Sequence, residues 1–209
     1  MKRLIIVGAG GLGREILSWM LDSKQIENYA TVKFLDENQF IPIVLNDSYE
    51  IIGTPTTYIP QVEDEFICAI SKPVVKLKTC RYLQAQGAKF ITVKHPTAIV
   101  SSNSILGPGC VLYPHTFVSN DTTIGSFVLM NFNSAIGHNA VVSDGCSLNA
   151  FCEVTGNVML GEGVFMGSHA SVIPGIEVGS YAIIGAGSVV IRKVPPNKTM
   201  MGVPAKCIC

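Results

Sequence analysis

Every sixth residue from Val100 to Val190 is apolar and unbranched by charge or hydroxyl: Val100, Leu106, Leu112, Val118, Ile124, Met130, Ile136, Val142, Leu148, Val154, Leu160, Met166, Val172, Val178, Ile184 and Val190, sixteen positions in succession. Two residues before most of them stands a small side chain, among them Ala98, Ser104, Cys110, Thr116, Ser134, Ala140, Cys146, Cys152, Ala170, Ala182 and Ser188. Glycine follows directly at Gly107, Gly125, Gly137, Gly161, Gly167, Gly179 and Gly185. A helix repeats every 3.6 residues and a strand every two, so a period of six belongs to neither. It fits a coil with three flat faces, in which each inward residue stacks on the one three hexads later, a parallel β-solenoid. About five coils fit between Val100 and Val190. A sandwich of short antiparallel strands would not hold one period this long. Each coil touches only its neighbours, so both ends need caps; the preceding domain and the tail 192–209 are expected to supply them.

The first ninety residues follow another pattern. Leu4–Val7 is a buried-strand run, Gly8-Ala9-Gly10-Gly11-Leu12-Gly13 is a glycine turn, and Arg14–Leu21 reads as a helix. Thr31–Leu35 and Phe66–Ile70 read as strands, Val75–Gln86 as a second helix, and Lys89–Val93 closes the unit. The expected architecture is an α/β Rossmann-like domain over residues 1–94, followed by an all-β parallel β-helix over 95–209. Strand, glycine turn and helix form the context in which such a turn approaches a phosphate at helix N-terminal amides. Asp36 lies 23 residues after Gly13, where an acid would meet a ribose hydroxyl. A purely architectural turn is the other reading of the same glycines.

Composition narrows the field. Across 209 residues, fifteen basic and fifteen acidic side chains balance, which leaves no footprint for nucleic acid or an anionic membrane. No apolar run is long enough to span a bilayer. The opening Met1-Lys2-Arg3-Leu4 resembles a secretion signal only briefly, since Gly8–Gly13, Arg14 and Glu15 interrupt it. The seven cysteines are odd in number and include no C-x-x-C pair, so reduced thiols in a cytoplasmic protein are expected, with no metal at Cys207 and Cys209.

Of the four histidines, His95 precedes the first rung and is expected to shape the junction. His115 and His169 sit three positions after inward residues and read as surface or interface side chains. His138 sits two positions after Ile136, and one coil further its strip carries Gly156. A missing side chain there would open a groove beside an imidazole and bare an amide toward it: a base next to an oxyanion donor, the pairing acyl transfer needs. The alternative is a histidine at a subunit interface and a glycine serving a turn.

The hexads, His138, Gly185-Ala186-Gly187-Ser188 and the terminal Gly202-Val203-Pro204-Ala205-Lys206 resemble the hexapeptide-repeat, left-handed β-helix acyltransferases. With the Gly8–Gly13 turn and Phe34-Leu35-Asp36, the chain is similar to the branch containing bacterial nucleotide-amino-sugar N-acetyltransferases and sialic acid O-acetyltransferases. The resemblance implies a homotrimer with acetyl-CoA in the groove between solenoids. It implies His138 as base, with Asn139 and Gly156 beside it. Ser147, Gly156, Gly167, Ser168, Gly185, Ala186, Pro204 and Lys206 would line the coenzyme. Gly8, Gly10, Gly11, Gly13, Asp36, Ser71 and Lys72 would hold the nucleotide of a UDP- or dTDP-linked amino sugar. No metal is implied. The family often follows the base with Asp or Glu; here the position is Asn139, and Asp144 or a residue of another subunit is the expected compensation.

Three functions follow as expectations: N-acetylation of a nucleotide-linked amino sugar for surface glycans such as O-antigen, O-acetylation of a sialic acid, or a non-catalytic nucleotide-sugar-binding trimer. An uncharged Asn139 favours the amine, which needs less help from a base than a hydroxyl. A nicotinamide oxidoreductase ranks last, because a solenoid offers no hydride-acceptor pocket.

Overall fold

The computed structural model describes residues 2–38, 40 and 49–208; Met1 and Cys209, the outer ends of the two expected domains, lie outside them. The N-terminal unit contains β1 (Arg3–Val7), α1 (Gly11–Asp22), β2 (Thr31–Leu35), β3 (Ile51–Gly53), β4 (Asp64–Cys68), α2 (Pro73–Ala85) and β5 (Lys89–Phe90). Its parallel sheet has the order β3-β2-β1-β4-β5. The strand expected at Phe66–Ile70 starts earlier because Asp64 and Glu65 are buried in partnership. Arg3 Nε donates to Asp64 Oδ1 at 2.6 Å, while Tyr58 Oη and the Gln61 N–H donate to Oδ2. Glu65 is met by Lys2 and by the Tyr29 hydroxyl. Paired in this way, carboxylates tolerate a strand that hydropathy alone would refuse. Helix α1 begins at Gly11, three residues before the expected Arg14, and α2 at Pro73, two before Val75. Proline suits that first turn, where its missing N–H costs nothing.

The rest of the chain is a three-faced parallel solenoid, and it begins at Val93, two residues ahead of the expected boundary, since Val93–Lys94 pairs with Val111–Leu112. The first face carries Val93–Lys94, Val111–Leu112, Leu129–Met130, Ser147–Leu148, Phe165–Met166 and Ile183–Ile184, and then the tail strands Thr199–Met201 and Lys206–Cys207. The second face has six strands, from Ile99–Val100 to Val189–Val190, and the third has five, from Ile105–Leu106 to Glu177–Val178. From Val93–Lys94 to Val189–Val190 the paired residues lie eighteen apart, as in Ala135↔Glu153 and Ile136↔Val154, and only the tail departs from this, with Ile183↔Thr199 sixteen apart. The inward residues Leu112 to Val190 form one buried column. Tail strand Thr199–Met201 joins Ile183–Ile184 in parallel and turns back antiparallel into Lys206–Cys207, which closes the far end.

The small residue before each rung has a second use. Cys110, Cys146 and Cys152 are buried and donate their thiols, each at 3.1 Å, to the carbonyls of Gly125, Gly161 and Gly167. Ser104, Thr122 and Ser134 donate hydroxyls to the equivalent carbonyls of Ser119, Gly137 and Asn149. At these six corners a small donor ties one coil to the next, and cysteine serves as readily as serine. Three residues after each inward position, from Gly109 to Gly187, the backbone takes φ between 56° and 77° at every corner. Glycine, Asn and Asp fill nine of these fourteen corners, as the left-handed region requires.

The α/β unit docks on the first face and on the edge between the third and first faces. Outward-pointing Val111, Leu129 and Ser147 are buried beneath it. Phe90 meets Phe127 edge-on at 5.1 Å, and Leu77 occupies the space left by Gly145, where a Cβ would come within 2.4 Å of its Cγ. Trp19 of α1 packs edge-on against His95 and Tyr113, which puts His95 at the domain junction. Further along, Ile183 is 45% exposed, so the first face is uncovered beyond the docked unit. Among the described residues no helix is long and apolar enough to cross a membrane.

The corner rule is testable at Gly175, whose φ is 77° and whose missing Cβ faces open space. Gly175→Asn should leave the melting temperature nearly unchanged. Gly175→Val should cost about 1–2 kcal/mol from backbone strain alone; equal denaturation midpoints for the two variants would refute it.

Candidate active site

Two constellations stand apart on the molecule. The first lies at the C-terminal ends of β1 and β4, where the strand order reverses, the usual ligand crevice of a parallel α/β sheet. Gly8, with φ 108°, lets the loop pass Ala69, whose carbonyl oxygen a Cβ would approach to 2.7 Å. Gly13 packs on Gly8, where a Cβ would lie 2.0 Å from the carbonyl oxygen. These two glycines shape the turn. Gly10 and Gly11 differ, because a Cβ on either would meet nothing within 4 Å, so the start of α1 faces open space. Ser71 and exposed Lys72 lead from β4 into the start of α2 on the far side of the same crevice, with no side-chain cap on the helix.

Asp36 is tied to the loop. Its Oδ2 accepts the Ala9 N–H at 2.7 Å and its Oδ1 accepts the Asn38 N–H at 2.9 Å. The acid expected to greet a ribose therefore braces the glycine turn first, and each oxygen keeps one further lone pair for a ligand hydroxyl.

The second constellation lies on the edge between the second and third faces. His138 and Asn139 are exposed there, and His138 Nδ1 lies 2.8 Å from Asn139 Oδ1. An amide oxygen only accepts, so Nδ1 carries the proton and Nε2 is left with the lone pair a general base needs. Asn139 has φ 58°, a corner conformation that Asn tolerates well. Gly156 differs from its expectation. The imidazole itself fills the space over it, since a Cβ there would lie 2.6 Å from Nε2 and 2.7 Å from Cε1. The missing side chain seats the ring instead of opening a groove.

Asp144 cannot compensate for the absent acid beside His138. It sits one corner further, on the edge between the third and first faces, where Oδ1 accepts the Ser126 N–H at 2.8 Å and Oδ2 lies 3.7 Å from Arg81.

The expected coenzyme residues divide. Ser147 is fully buried beneath α2, where Lys76 Nζ donates to its Oγ at 2.7 Å, so it has no surface to offer a coenzyme. Gly167 is buried too, and a Cβ on it would collide with Ala186 N at 2.6 Å, a close stacking of successive coils. Ser168, Gly185 and Ala186 lie at the surface of the edge between the first and second faces, and Pro204 and Lys206 lie on the exposed tail. Within one chain none of these five shares an edge with His138; of the expected coenzyme residues only Gly156 lies beside it. Among the described residues no group of three His, Cys, Asp or Glu side chains converges on a metal position.

Sequence reasoning missed Lys76. Its signal was legible, since buried Pro73, Lys76, Leu77, Cys80 and Leu83 repeat at helical spacing, with one lysine on the apolar stripe.

The His138–Asn139 contact predicts one tautomer for the ring in its neutral form. Nitrogen-15 NMR of the His138 ring should show a protonated Nδ1 and a bare Nε2, and Asn139→Ala should relax that preference. Gly156→Ala should push the ring off its seat and broaden or shift both signals. A tautomer ratio indifferent to Asn139 would rule out the hydrogen bond.

Comparison with known proteins follows these two regions. Residues 3–83 match the PglD N-terminal domain family. GDP-perosamine N-acetyltransferase of Escherichia coli O157:H7 is 29% identical over 130 residues, which is 60% of this chain and 58% of that protein, so the match spans little more than half of the relative. Perosamine N-acetyltransferase from Caulobacter crescentus, crystallised as a histidine-to-asparagine variant with CoA and GDP-perosamine, is 25% identical with a TM-score of 0.90, covering 100% of this chain and 98% of that one. The acetyltransferase domain of PglB from Neisseria gonorrhoeae FA1090 shares the fold at 23% identity, with a TM-score of 0.90 and 100% coverage of both chains. The chain thus carries a PglD-type N-terminal domain over residues 3–83 and shares with these acetyltransferases the whole two-part fold, an α/β unit ahead of a six-residue-repeat solenoid.

Proposed function

We propose that the protein transfers the acetyl group of acetyl-CoA to the exocyclic amine of a nucleotide-linked amino-deoxy sugar. One observation carries the reading: His138 Nδ1 is held by Asn139 Oδ1, which leaves Nε2 free at an exposed edge. The relatives' substrates support the same chemistry, since the Caulobacter crescentus enzyme was solved with CoA and GDP-perosamine. GDP therefore joins UDP and dTDP as a candidate nucleotide.

In this reading the amine lone pair attacks the thioester carbonyl carbon while His138 Nε2 takes the proton the nitrogen sheds. The carbonyl oxygen becomes an oxyanion, and the Gly156 N–H is the donor assigned to it. Collapse expels the CoA thiolate, which recovers the proton from the imidazolium. Gly10, Gly11, Ser71 and Lys72 hold the phosphates, and Asp36 takes a ribose hydroxyl with its remaining lone pairs. Ser168, Gly185, Ala186, Pro204 and Lys206 line the coenzyme. Such an enzyme works in the cytoplasm, where nucleotide sugars and acetyl-CoA meet, and feeds surface-glycan synthesis such as that of O-antigen.

Geometry further supports a site shared between copies. In a three-sided coil, the edge between the second and third faces is the one opposite the first face. His138 occupies that edge, and the α/β unit covers the first face. One chain therefore holds the nucleotide crevice and its own His138 on opposite sides. A ring of three copies about an axis along the second faces brings the His138 edge of one copy beside the first–second edge of the next, where Ser168 and Ala186 lie.

O-acetylation is disfavoured, because Asn139 orients the imidazole without the negative charge a hydroxyl acceptor would call on. A non-catalytic trimer is disfavoured by the retained His138–Asn139 bond.

Thiol release from acetyl-CoA should appear with some member of a panel of GDP-, UDP- and dTDP-linked amino sugars and exceed release with free sialic acid. His138→Ala should lower kcat by about 10²–10⁴ with intact folding; full turnover by that variant would sink the assignment. Gly11→Leu should block the phosphates without disturbing the core, since its Cβ has open space. Co-expressed with His138→Ala, it should restore activity in mixed trimers, and an absence of restoration would place the site within one chain.

A further inference from the structure

We infer that Lys76 and Ser147 form a register key that fixes the axial position of the nucleotide-binding unit along the solenoid, so that Lys76 is a positioning residue for acetyl transfer. This rests on the proposed nucleotide crevice. Lys76 is 1% exposed and lies on the face of α2 turned to the solenoid. Its Nζ donates to Ser147 Oγ at 2.7 Å and to the Cys146 carbonyl at 3.0 Å. Burial pulls its pKa below the usual lysine value, against the opposing pull of the Cys68, Cys146, Cys80 and Cys110 thiols.

The column beneath α2 shows why this contact sets register. Outward positions eighteen residues apart along the first face are Val93, Val111, Leu129, Ser147, Phe165 and Ile183. Ser147 is the one hydroxyl among five apolar side chains. Apolar contact is non-directional, so an aliphatic column alone would let a helix settle at more than one height. A slip by one coil, about 4.8 Å, would set the buried amine against Leu129 or Phe165. A backbone carbonyl recurs at every coil; the hydroxyl does not. The amine would then be buried with a donor unmet, the costly outcome for a polar group without water. Leu77 in the space over Gly145 acts in the same sense.

Register matters because α2 begins one turn before Lys76, at Pro73, directly after Ser71 and Lys72. A shift of α2 carries the phosphate loop with it. Its distance from the reacting groups on the solenoid changes, while the contacts within the crevice stay as they were. An error of about 1 Å is enough to cost a hundredfold in rate.

The test separates position from stability. Lys76→Met and Ser147→Ala should each lower kcat at least about tenfold, with the affinities for GDP or UDP and for CoA, measured by calorimetry, within about twofold of wild type. The double variant Lys76→Met/Ser147→Val replaces the key with packed apolar groups, which often restores stability. Its melting temperature should recover while kcat stays low, and its crystal structure should show α2 displaced along the solenoid. Wild-type kcat in the double variant, with α2 unmoved, would overturn the inference. If wild-type protein acetylates no nucleotide amino sugar, the proposed function fails; the position of α2 in the double variant then decides the register key alone.

Discussion

Closure of the coil governs everything else in this molecule. Each corner turns through a residue held near φ +60°, and from Gly109 to Gly187 one recurs every sixth residue without interruption. Because no corner gains or loses a residue, positions eighteen apart stay aligned over the whole solenoid. A single insertion would turn every later inward side chain outward, as a one-residue slip does in any strand. The inward column, the small donors that tie coil to coil and the straight outward strips all depend on that constancy.

The same constraint explains the residue beside the base. Position 139 is a corner and demands a left-handed backbone. Glycine would satisfy the backbone and leave Nδ1 of His138 without an acceptor. Asn satisfies both, since it tolerates the conformation and presents Oδ1 at 2.8 Å. Fold and chemistry thus converge on one side chain, and the loss of charge relative to an acid is compensated by a fixed tautomer. The bulky corners differ in how they are supported. Phe127 is covered by the α/β unit, and Tyr181 hydrogen-bonds Glu162. Phe151 and His169 have no such cover. They stack on each other at 4.7 Å, with Phe132 edge-on to Phe151, and Phe132 and Phe151 remain more than 40% exposed.

The solenoid was legible from its period because one residue type recurs under one physical demand. So was the strip that joins His138 to Gly156, as stepping by eighteen needs no coordinates. The contact across that strip was not. A glycine beside an imidazole reads as a void, and only side-chain placement reveals that the ring occupies it. Ser147 misled for a similar reason. On an outward strip a serine looks like a surface hydroxyl, and the docked α2 that buries it belongs to a segment seventy residues away. The strand expected from Phe66 left out Asp64 and Glu65 because hydropathy counts charges singly, while Arg3, Tyr58, Lys2 and Tyr29 offset their burial cost from distant positions.

A three-sided rod also limits what one chain can assemble. The α/β unit needs a face for its aliphatic contacts, and it takes the first. The edge that remains farthest from that face carries His138. No bending of side chains brings opposite sides of a packed solenoid together, since its interior is filled from Leu112 to Val190. Under the proposed reading, the distance between phosphate loop and base is therefore set by two rigid interfaces in series, one between α2 and its own solenoid and one between neighbouring solenoids. Errors in the two add. The coil-to-coil step of the second is fixed by β spacing, whereas the first rests on a mostly aliphatic surface whose other directional contact is the half-exposed Arg81 of α2 with Glu162 and Asp144. That is where a directional, buried hydrogen bond has the most effect on geometry, and it is where Lys76 meets Ser147.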